Sequence, residues 1–328
     1  MTIECKIALE HWPLQEPFEI ANEIMTAIDV LVVRLRDAQG NIGWGEAAGV
    51  SYDGETPQSI AAQIGAVQPL LHAGLSSADL MQWLPIGGAR NALDCALWDL
   101  RAKQTGQPAW QLAGRKQVSP VLTAYTIGLG SEADVRRKIR AARHFPLLKL
   151  KADATRHTEM VRLAREEHPD ARLLIDANQA WSRQLLEHIL PELHAQGVEL
   201  IEQPVPRGTD AQLDGLRSPI PLAADESCTD RGSLVGLLGR YQFINIKLDK
   251  CGGLTEALAL ASRARELGFR LMVGNMGGTS LAMAPAHLVA QECTYVDLDG
   301  PLLLHEDRSQ GMCYQAALLS AAEPGLWG

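Results

Sequence analysis

The chain has 328 residues, a formal net charge of −9 and an apolar fraction of 46%. This length exceeds one small domain and suits a barrel of about 200–250 residues with a second domain. The negative charge, without a basic run, predicts neither a nucleic-acid partner nor an anionic membrane surface, and no apolar run is long enough to predict a membrane span.

The amino-terminal segment and the cysteines predict where the protein resides. Residues 1–14 include Glu4, Lys6, Glu10 and His11 and have no apolar core, so we predict no signal peptide. The six cysteines are scattered without a CxxC pair, which is typical of reduced thiols. Both features predict a cytoplasmic protein. The sequence leaves its oligomeric state open, including a homo-oligomer.

Residues 1–115 are predicted to form an α+β capping domain. Alternating or β-branched runs indicate three strands, at 1–9, 30–36 and 42–47. A helical pattern then extends from residue 58 to about residue 113. It is clearest at 89–103, where apolar residues recur among charged ones.

Residues 116–300 alternate between strand and helix patterns. We predict eight strands, at 122–126, 147–151, 173–177, 200–202, 222–225, 243–247, 270–273 and 295–298. Eight such repeats favour an α/β fold of the (β/α)8 type, a TIM-like barrel, over an open sheet. Residues 301–328 follow the last strand, and we predict that they return to the capping domain.

Five charged residues end successive apolar strands of this predicted barrel. They are separated by 25, 26, 23 and 22 residues, a period typical of strand–helix repeats, and are Lys151, Asp176, Glu202, Asp225 and Lys247. Because the carboxyl ends of barrel strands meet at one mouth, we expect these side chains to converge there. Three carboxylates between two lysines predict a metal site flanked by two bases.

The three carboxylates favour a hard cation. Asp176, Glu202 and Asp225 offer only oxygen ligands, which suit one Mg²⁺ per subunit, and no His or Cys ends a neighbouring strand to favour zinc. The structural alternative is a set of solvated acids.

The two lysines suggest a proton transfer. Lys151 ends the second predicted strand and Lys247 the sixth, so they should lie on opposite sides of the mouth and serve opposite faces of one carbon. A lysine base must be neutral, so we expect a cation and a neighbouring lysine to lower its pKa. Lys149 shares a strand face with Lys151 and could also bind a substrate carboxylate. A carbon next to a carboxylate becomes acidic when the resulting enediolate faces a cation and a lysine.

These motifs resemble those of the enolase superfamily, specifically its muconate lactonizing enzyme subgroup. The matching segments are KLK at 149–151, IDAN at 175–178, IEQP at 201–204, ADES at 224–227 and NIKLDKCGG at 245–253, with capping-domain matches at 17–18, 43–46 and 90–99. The resemblance implies that Asp176, Glu202 and Asp225 bind Mg²⁺ and that Lys151 and Lys247 are the acid–base pair.

The predicted seventh and eighth strands separate the subgroups. The mandelate racemase subgroup has a histidine at the seventh strand, where this chain has Asn275 and Met276. Asp297 and Asp299 at the eighth strand resemble the Asp-x-Asp motif of dipeptide epimerases, and the resemblance implies that both hold a free α-ammonium, a group with three donors. It thus implies Mg²⁺-dependent 1,1-proton transfer at the α-carbon of a dipeptide's C-terminal residue. The alternative is an acidic loop that caps a helix.

One position departs from the L-Ala-D/L-Glu epimerases of this family, which have an arginine in the loop after the first strand. Met25 stands at that place, so the side chain of the epimerised residue is left open. Ile24 and Met25 would suit an apolar side chain, and Glu23 a cationic one. Thr126, Asn275 and Met276 are expected to line the mouth by position.

Several other functions are compatible with parts of the sequence. N-succinylamino acid racemase, o-succinylbenzoate synthase and muconate cycloisomerase belong to the same subgroup, but their substrates have no free ammonium. A non-catalytic peptide-binding barrel is an alternative from another class. The GxGxxA pattern at 128–133 could indicate a dinucleotide site, but the next strand lacks the acid such a site needs. Gly252 and Gly253 could bind an anion before a helix or form a tight loop.

Overall fold

The computed structural model describes residues 3–21, 23–72 and 76–328. Met1, Thr2, Asn22 and residues 73–75, which fall in predicted strand, loop and helix segments, lie outside it. In the described part of the chain, no helix is long and apolar enough to cross a membrane.

The strands form three sheets. The first is antiparallel, in the order β1-β2-β3, and comprises β1 (Glu4–Ile20), β2 (Glu23–Arg36) and β3 (Ile42–Ala47). The second is parallel and has eight strands in sequence order, namely β5 (Tyr125–Ile127), β6 (Leu147–Lys151), β7 (Arg172–Asp176), β8 (Val198–Glu202), β9 (Leu222–Ala224), β10 (Phe243–Ile246), β11 (Arg270–Val273) and β12 (Tyr295–Val296). The third joins β4 (Val121–Leu122), β13 (Tyr314–Gln315) and β14 (Leu318–Leu319).

The helices fall into an amino-terminal group and a group that belongs to the barrel. The amino-terminal part contains α1 (Pro57–His72), α2 (Ser77–Trp83), α3 (Gly88–Thr105) and α4 (Ala109–Leu112). The helices between and after the parallel strands are α5 (Glu132–Ala141), α6 (Thr158–Glu167), α7 (Arg183–Ala195), α8 (Leu234–Leu237), α9 (Leu248–Cys251), α10 (Leu254–Glu266), α11 (Ser280–Ala290) and α12 (Gly300–Leu303). The predicted fold class, a (β/α)8-type barrel with an α+β capping domain, is confirmed.

The capping domain depends on close contact between α3 and β3. A Cβ atom on Gly43 would lie 2.2 Å from the carbonyl oxygen of Ala96, and one on Gly45 would lie 2.0 Å from that of Ala92. Only glycine permits this approach. The helix therefore packs directly on the strand and closes a core that includes Leu31.

The first two strands are much longer than predicted. They form a hairpin that extends over the barrel, where the Glu19 carbonyl accepts a hydrogen bond of 2.8 Å from the Leu129 amide. Arg156 adds an ion pair of 2.7 Å to the Glu19 side chain. Since this end of the hairpin does not pack on the capping core, it has no alternating apolar pattern. The predicted loop around Met25 is thus the tip of a β-hairpin.

The first barrel strand is shifted from its predicted position. Residues 121–122 pair with β14 instead, and the barrel strand begins at Tyr125. A backbone hydrogen bond of 2.7 Å from Ala124 to Val296 links the first and last parallel strands. The last strand is shorter than predicted because the Leu298 amide bonds to the Thr123 hydroxyl, at 2.9 Å, rather than to a strand.

The carboxyl-terminal residues contact α3 and α4. Trp327 donates a hydrogen bond of 3.0 Å from its indole to the Cys95 carbonyl, and the Ala109 amide donates one of 3.1 Å to the Gly328 carbonyl. The exact boundaries at 115 and 300 stay predictions.

A second contact between the two parts of the chain explains the paired glycines. The Asp94 carboxylate of α3 accepts hydrogen bonds of 2.8 Å from the Thr255 amide and 2.7 Å from its hydroxyl, and thereby caps α10. Arg90 donates one of 3.1 Å to the Gly252 carbonyl. Gly252 and Gly253 have φ values of 79° and 111°, and the place of an external anion is taken by Asp94. The tight-loop interpretation therefore holds.

Candidate active site

The predicted site residues converge at the carboxyl ends of the parallel strands. Lys149 and Lys151 are on β6, Asp176 ends β7 and Glu202 ends β8. Asp225, Lys247, Asp297 and Asp299 follow β9, β10 and β12, and all eight are buried. A cavity of about 460 Å³ opens above them.

The cavity is lined by all the predicted residues except the three expected metal ligands. The predicted residues that line the cavity are Lys149, Lys151, Lys247, Asp297, Asp299, Thr126, Asn275, Met276 and Met25. Asp176, Glu202 and Asp225 instead contact the lysines. Because β6 and β10 are four strands apart in a sheet of eight, Lys151 and Lys247 reach the cavity from opposite sides.

Lys149 is at the centre of the charged cluster. Its Nζ lies 3.0 Å from Asp176 Oδ2, 2.8 Å from Glu202 Oε2 and 2.8 Å from Asp297 Oδ2. Lys151 makes a separate contact of 2.7 Å with Asp176 Oδ2. These contacts link the expected metal ligands to the expected ammonium-binding residues.

A second group of charges surrounds Asp225. Lys247 lies 2.7 Å from its Oδ2 and Lys250 lies 2.6 Å from its Oδ1. Lys250 also donates to the carbonyls of Asp225 and Asn245. Asp225 is therefore held on both carboxylate oxygens and on its main chain.

Nearby carboxylates decide the pKa of Lys247. Burial alone would lower the pKa of Lys247, but the nearby carboxylates, led by Asp225, raise it above its ordinary value. The same balance, led by Asp176, Asp297 and Glu202 against burial, raises the pKa of Lys149. Both side chains are therefore ammonium ions at neutral pH. The fall in pKa that we expect beside a bound cation stays a prediction.

Burial raises the pKa of each of these carboxyl groups, and the neighbouring charges decide the net direction. Burial and the neighbouring Asp176 raise the pKa of Glu202 to about 8. Burial and Asp297 likewise raise the pKa of Asp299 to about 7. Lysines overcome burial at Asp176 and Asp225 and hold their pKa values below the usual range. Glu202 and Asp299 are thus the acids with most to gain from a further positive charge.

The donor set fits a divalent cation. Six buried carboxyl groups lie near four buried lysines, so two negative charges would lack a partner if every acid were ionised. The acids are Asp176, Glu202, Asp225, Glu226, Asp297 and Asp299, and the bases are Lys149, Lys151, Lys247 and Lys250. Glu226 Oε2 is buried without a hydrogen-bond donor among the described residues. In the described residues, no three acids point at a single position where a metal ion could bind. Lysine ammonium groups contact the acids instead.

Several polar residues of the site had no predicted role. Asn245 donates a hydrogen bond of 2.8 Å to Glu202 Oε1. Gln203 accepts one of 2.9 Å from the Asp225 amide and so joins the loops after β8 and β9. Glu226 lines the cavity, and burial raises its pKa to about 7. All three residues, and also Lys250, lie inside the segments that match the enolase superfamily. This location is the only feature of the sequence that indicates a role for them in the site.

Thr126 and Asn275 orient the Asp297–Asp299 pair. The Thr126 amide donates a hydrogen bond of 2.6 Å to Asp299 Oδ2, and its hydroxyl donates one of 3.3 Å to Asp297 Oδ1. Asn275 donates one of 2.7 Å to the Asp297 carbonyl. These hydrogen bonds hold the two carboxylates toward the cavity. Lys149 contacts Asp297, and no lysine or arginine of the described residues forms an ion pair with Asp299.

Family models match both parts of the chain. Residues 2–114 match the "Mandelate racemase / muconate lactonizing enzyme, N-terminal domain", and residues 132–309 match the "Enolase C-terminal domain-like" family. The chain belongs to the enolase superfamily. The predicted resemblance is thereby confirmed.

Similar members of the superfamily are named for related reactions. The L-Ala-D/L-Glu epimerase of Escherichia coli strain K12 is 42% identical over 92% of this chain and 94% of the relative. An N-acetyl-D-glutamate racemase of Pseudoalteromonas sp is 40% identical over 87% and 91%. An enolase family member from Agrobacterium tumefaciens, solved with sodium and L-Ala-L-Glu, is 42% identical, has a TM-score of 0.97 and covers 99% of this chain and 100% of its own.

Proposed function

We propose that the protein is a Mg²⁺-dependent dipeptide epimerase, an isomerase that moves the α-proton of the C-terminal residue from one face to the other. The observation that carries this proposal is that Lys151 and Lys247 enter one cavity from opposite sides of the barrel. A carbon between them has one lysine on each face, as a two-base exchange requires.

Asp176, Glu202 and Asp225 would hold the cation, as the donor set and the charge balance support. When bound, Mg²⁺ supplies positive charge that stabilises the carboxylate of the substrate as its α-proton leaves. Each of these acids now contacts a lysine. If these acids held a cation, their contacts with the lysines would weaken, which would favour the neutral lysine that a base must be.

The lysines share the chemistry. The neutral member of the Lys151–Lys247 pair removes the α-proton, and the charged member returns a proton to the opposite face. Lys149, fully buried among three carboxylates, stays charged and donates to the carboxylate of the substrate as negative charge builds on it. The direction of epimerisation decides which of the pair acts as base.

Asp297 and Asp299 support a substrate with a free amino group. Burial and the neighbouring Asp297 raise the pKa of Asp299, and Lys149 contacts Asp297 rather than Asp299. An α-ammonium would supply a positive charge and up to three hydrogen bonds. An N-acylated amino acid supplies no charge and one N–H donor.

A racemase of N-acylated amino acids is the second candidate, because one similar relative is named N-acetyl-D-glutamate racemase. A non-catalytic peptide-binding barrel is not favoured, because two opposed lysines are not needed for binding. The dipeptide is the proposed partner. A cytoplasmic location and a homo-oligomer stay predictions.

The test is isotope exchange in D₂O with Mg²⁺. A panel of L-Ala dipeptides and their N-acetyl amino acid counterparts is incubated with the protein, and mass spectrometry follows a gain of one dalton. We expect label in the dipeptides and a mixture of epimers. Label in the N-acetyl compounds alone would move the assignment to the racemase, and no label in either would refute both.

Variants of the lysines separate the two faces. We expect Lys247→Ala to abolish epimerisation but to leave α-proton exchange from one epimer, since Lys151 still serves its own face. Lys151→Ala should leave exchange from the other epimer. Fast exchange from both epimers in either variant would contradict the two-base assignment.

A further inference from the structure

The cavity has two chemically different walls. The barrel supplies the first wall, where lysines and acids of the strand ends are located. The capping domain supplies the second, from Leu14, Glu23, Ser51 and five apolar or aromatic residues that we call the roof, namely Phe18, Ile20, Met25, Ile28 and Tyr52. Four of the five are apolar and partly buried, and Tyr52 is 41% exposed.

The proposed function fixes which part of the substrate faces the roof. The carboxylate belongs beside Lys149, the α-carbon between Lys151 and Lys247, and the ammonium at Asp297 and Asp299. All these groups are on the barrel wall. The side chain of the C-terminal residue is therefore directed toward the capping domain.

The register of the hairpin decides which residues face the cavity. Phe18 pairs with Met25 and Ile20 pairs with Glu23, whereas Ile24 pairs with Glu19. Because side chains alternate along a strand, Met25 and Ile24 point to opposite faces. Met25 lines the cavity, and Ile24 is 64% exposed and does not.

In the described residues, the roof contains no cation. The arginines around it are already paired, Arg156 with Glu19 and Arg207 with Asp53. The one charged side chain that the hairpin adds to the cavity is Glu23, a carboxylate exposed at its edge. A carboxylate of the substrate would therefore lose water here and gain no partner, which is unfavourable.

We propose that the protein prefers dipeptides whose C-terminal residue has an uncharged, apolar side chain of the size of leucine or methionine. This inference rests on the proposed function and adds its substrate class. Met25, paired with Phe18 across the hairpin, is the residue that determines the preference. Met25 sets specificity by contact with the side chain and takes no part in the proton transfer.

The first experiment compares kcat/KM for L-Ala-L-Leu, L-Ala-L-Met, L-Ala-L-Glu and L-Ala-L-Lys with Mg²⁺ present. We expect the leucine and methionine dipeptides to exceed the glutamate dipeptide by at least about 10-fold, the scale of discrimination that apolar contacts supply. A faster glutamate dipeptide would overturn the inference. A faster lysine dipeptide would also overturn it and would assign the preference to Glu23.

The second experiment moves a charge into the roof. Met25→Arg should shift the ratio of kcat/KM for L-Ala-L-Glu over L-Ala-L-Leu by about 10-fold or more toward glutamate. Ile24→Arg is the matched control, because it adds the same charge one residue away on the outer face, where solvent and salt screen it. An equal shift in both variants, or none in Met25→Arg, would contradict the role of Met25.

The outcomes keep the two proposals apart. If the wild-type protein labels no dipeptide in D₂O, the proposed function fails. If it labels dipeptides but favours glutamate, only the preference for apolar side chains fails.

Discussion

Lys250 Nζ lies 2.6 Å from Oδ1 of Asp225, on the opposite oxygen from the one that Lys247 contacts. Lys250 does not line the cavity, and it also donates to the main-chain carbonyl of Asp225. Lys250 therefore fixes the position of Asp225, whereas Lys149, Lys151 and Lys247 are the lysines that line the cavity.

Replacement of this lysine should destabilise the protein. Lys250→Met leaves the buried Asp225 without one of its two cations, and we expect the free energy of unfolding to fall by about 3 kcal/mol. Urea unfolding measures this. Arg263→Met removes an exposed ion pair with Glu266 and should change the unfolding free energy little. Equal effects in both variants would show that the Lys250 pair adds nothing.

The approach of Asp94 to Gly253 predicts a steric effect. A Cβ at Gly253 would lie 2.6 Å from the Asp94 side chain, whereas one at Gly268 would meet nothing within 4 Å. Both glycines have positive φ, and Gly253, at φ 111° and ψ 176°, lies in a region that is essentially restricted to glycine, so Gly253→Ala adds greater backbone strain to the steric contact. We expect thermal unfolding to show a clearly larger loss for Gly253→Ala. Similar melting temperatures for the two variants would contradict the close packing of α3 against α10.

A buried histidine predicts acid sensitivity. Burial lowers the pKa of His287 to about 4 from an ordinary value of 6.5, so the folded protein binds this proton less readily than the unfolded chain. Stability from this residue is complete above pH 6.5 and is lost as the pH falls toward 4. Between pH 7 and 5 the loss should be roughly 2 kcal/mol.

The variant His287→Gln should lose this part of the pH dependence, while the exposed His194→Gln should keep it. Denaturant unfolding at several pH values gives the comparison. If wild type and His287→Gln depend on pH alike between 7 and 5, the histidine does not resist protonation.

An ion pair joins the loop that bears Tyr52 to the loop after β8. Arg207 pairs with Asp53, and its guanidinium carbon lies 5.7 Å from the centre of the Tyr52 ring. Arg207→Met should raise KM several-fold because Tyr52 loses its fixed place over the cavity. The melting temperature should barely change, since the ion pair is exposed.

Arg240→Met is the control for the loop variant, because Arg240 pairs with Asp214 and neither lines the cavity. Its KM should match that of the wild type. A KM for Arg207→Met within error of the wild-type value would show that the loop needs no such attachment.

The sequence predicts the barrel well because each parallel strand is a short apolar run with a charge at its end. It does not predict the hairpin, since residues 12–20 and 23–28 contact the rest of the chain at isolated points, such as Leu14 with Leu304 and Glu19 with Leu129, and follow no simple period. The first barrel strand was misplaced for another reason. Residues 121–127 contain two short strands that belong to different sheets, and only the position of the carboxyl-terminal residues distinguishes them.

The charged groups of the site follow a similar division. Lys151, Asp176, Glu202, Asp225 and Lys247 are predictable because they recur at the period of the barrel. Lys250 does not follow that period, since it comes from the short helix after β10 and turns back to Asp225. Its role depends on distances that no spacing rule supplies.

The two walls of the cavity come from separate stretches of the chain. The groups proposed for proton transfer and for binding of the substrate's charged ends lie between residues 149 and 299, whereas the roof consists of Phe18, Ile20, Met25, Ile28 and Tyr52. Substitutions at these five roof residues can therefore change which substrates the enzyme accepts, while the residues that transfer the proton stay the same. A mutant library limited to the hairpin tip and the Tyr52 loop would sample new substrates with little loss of active clones.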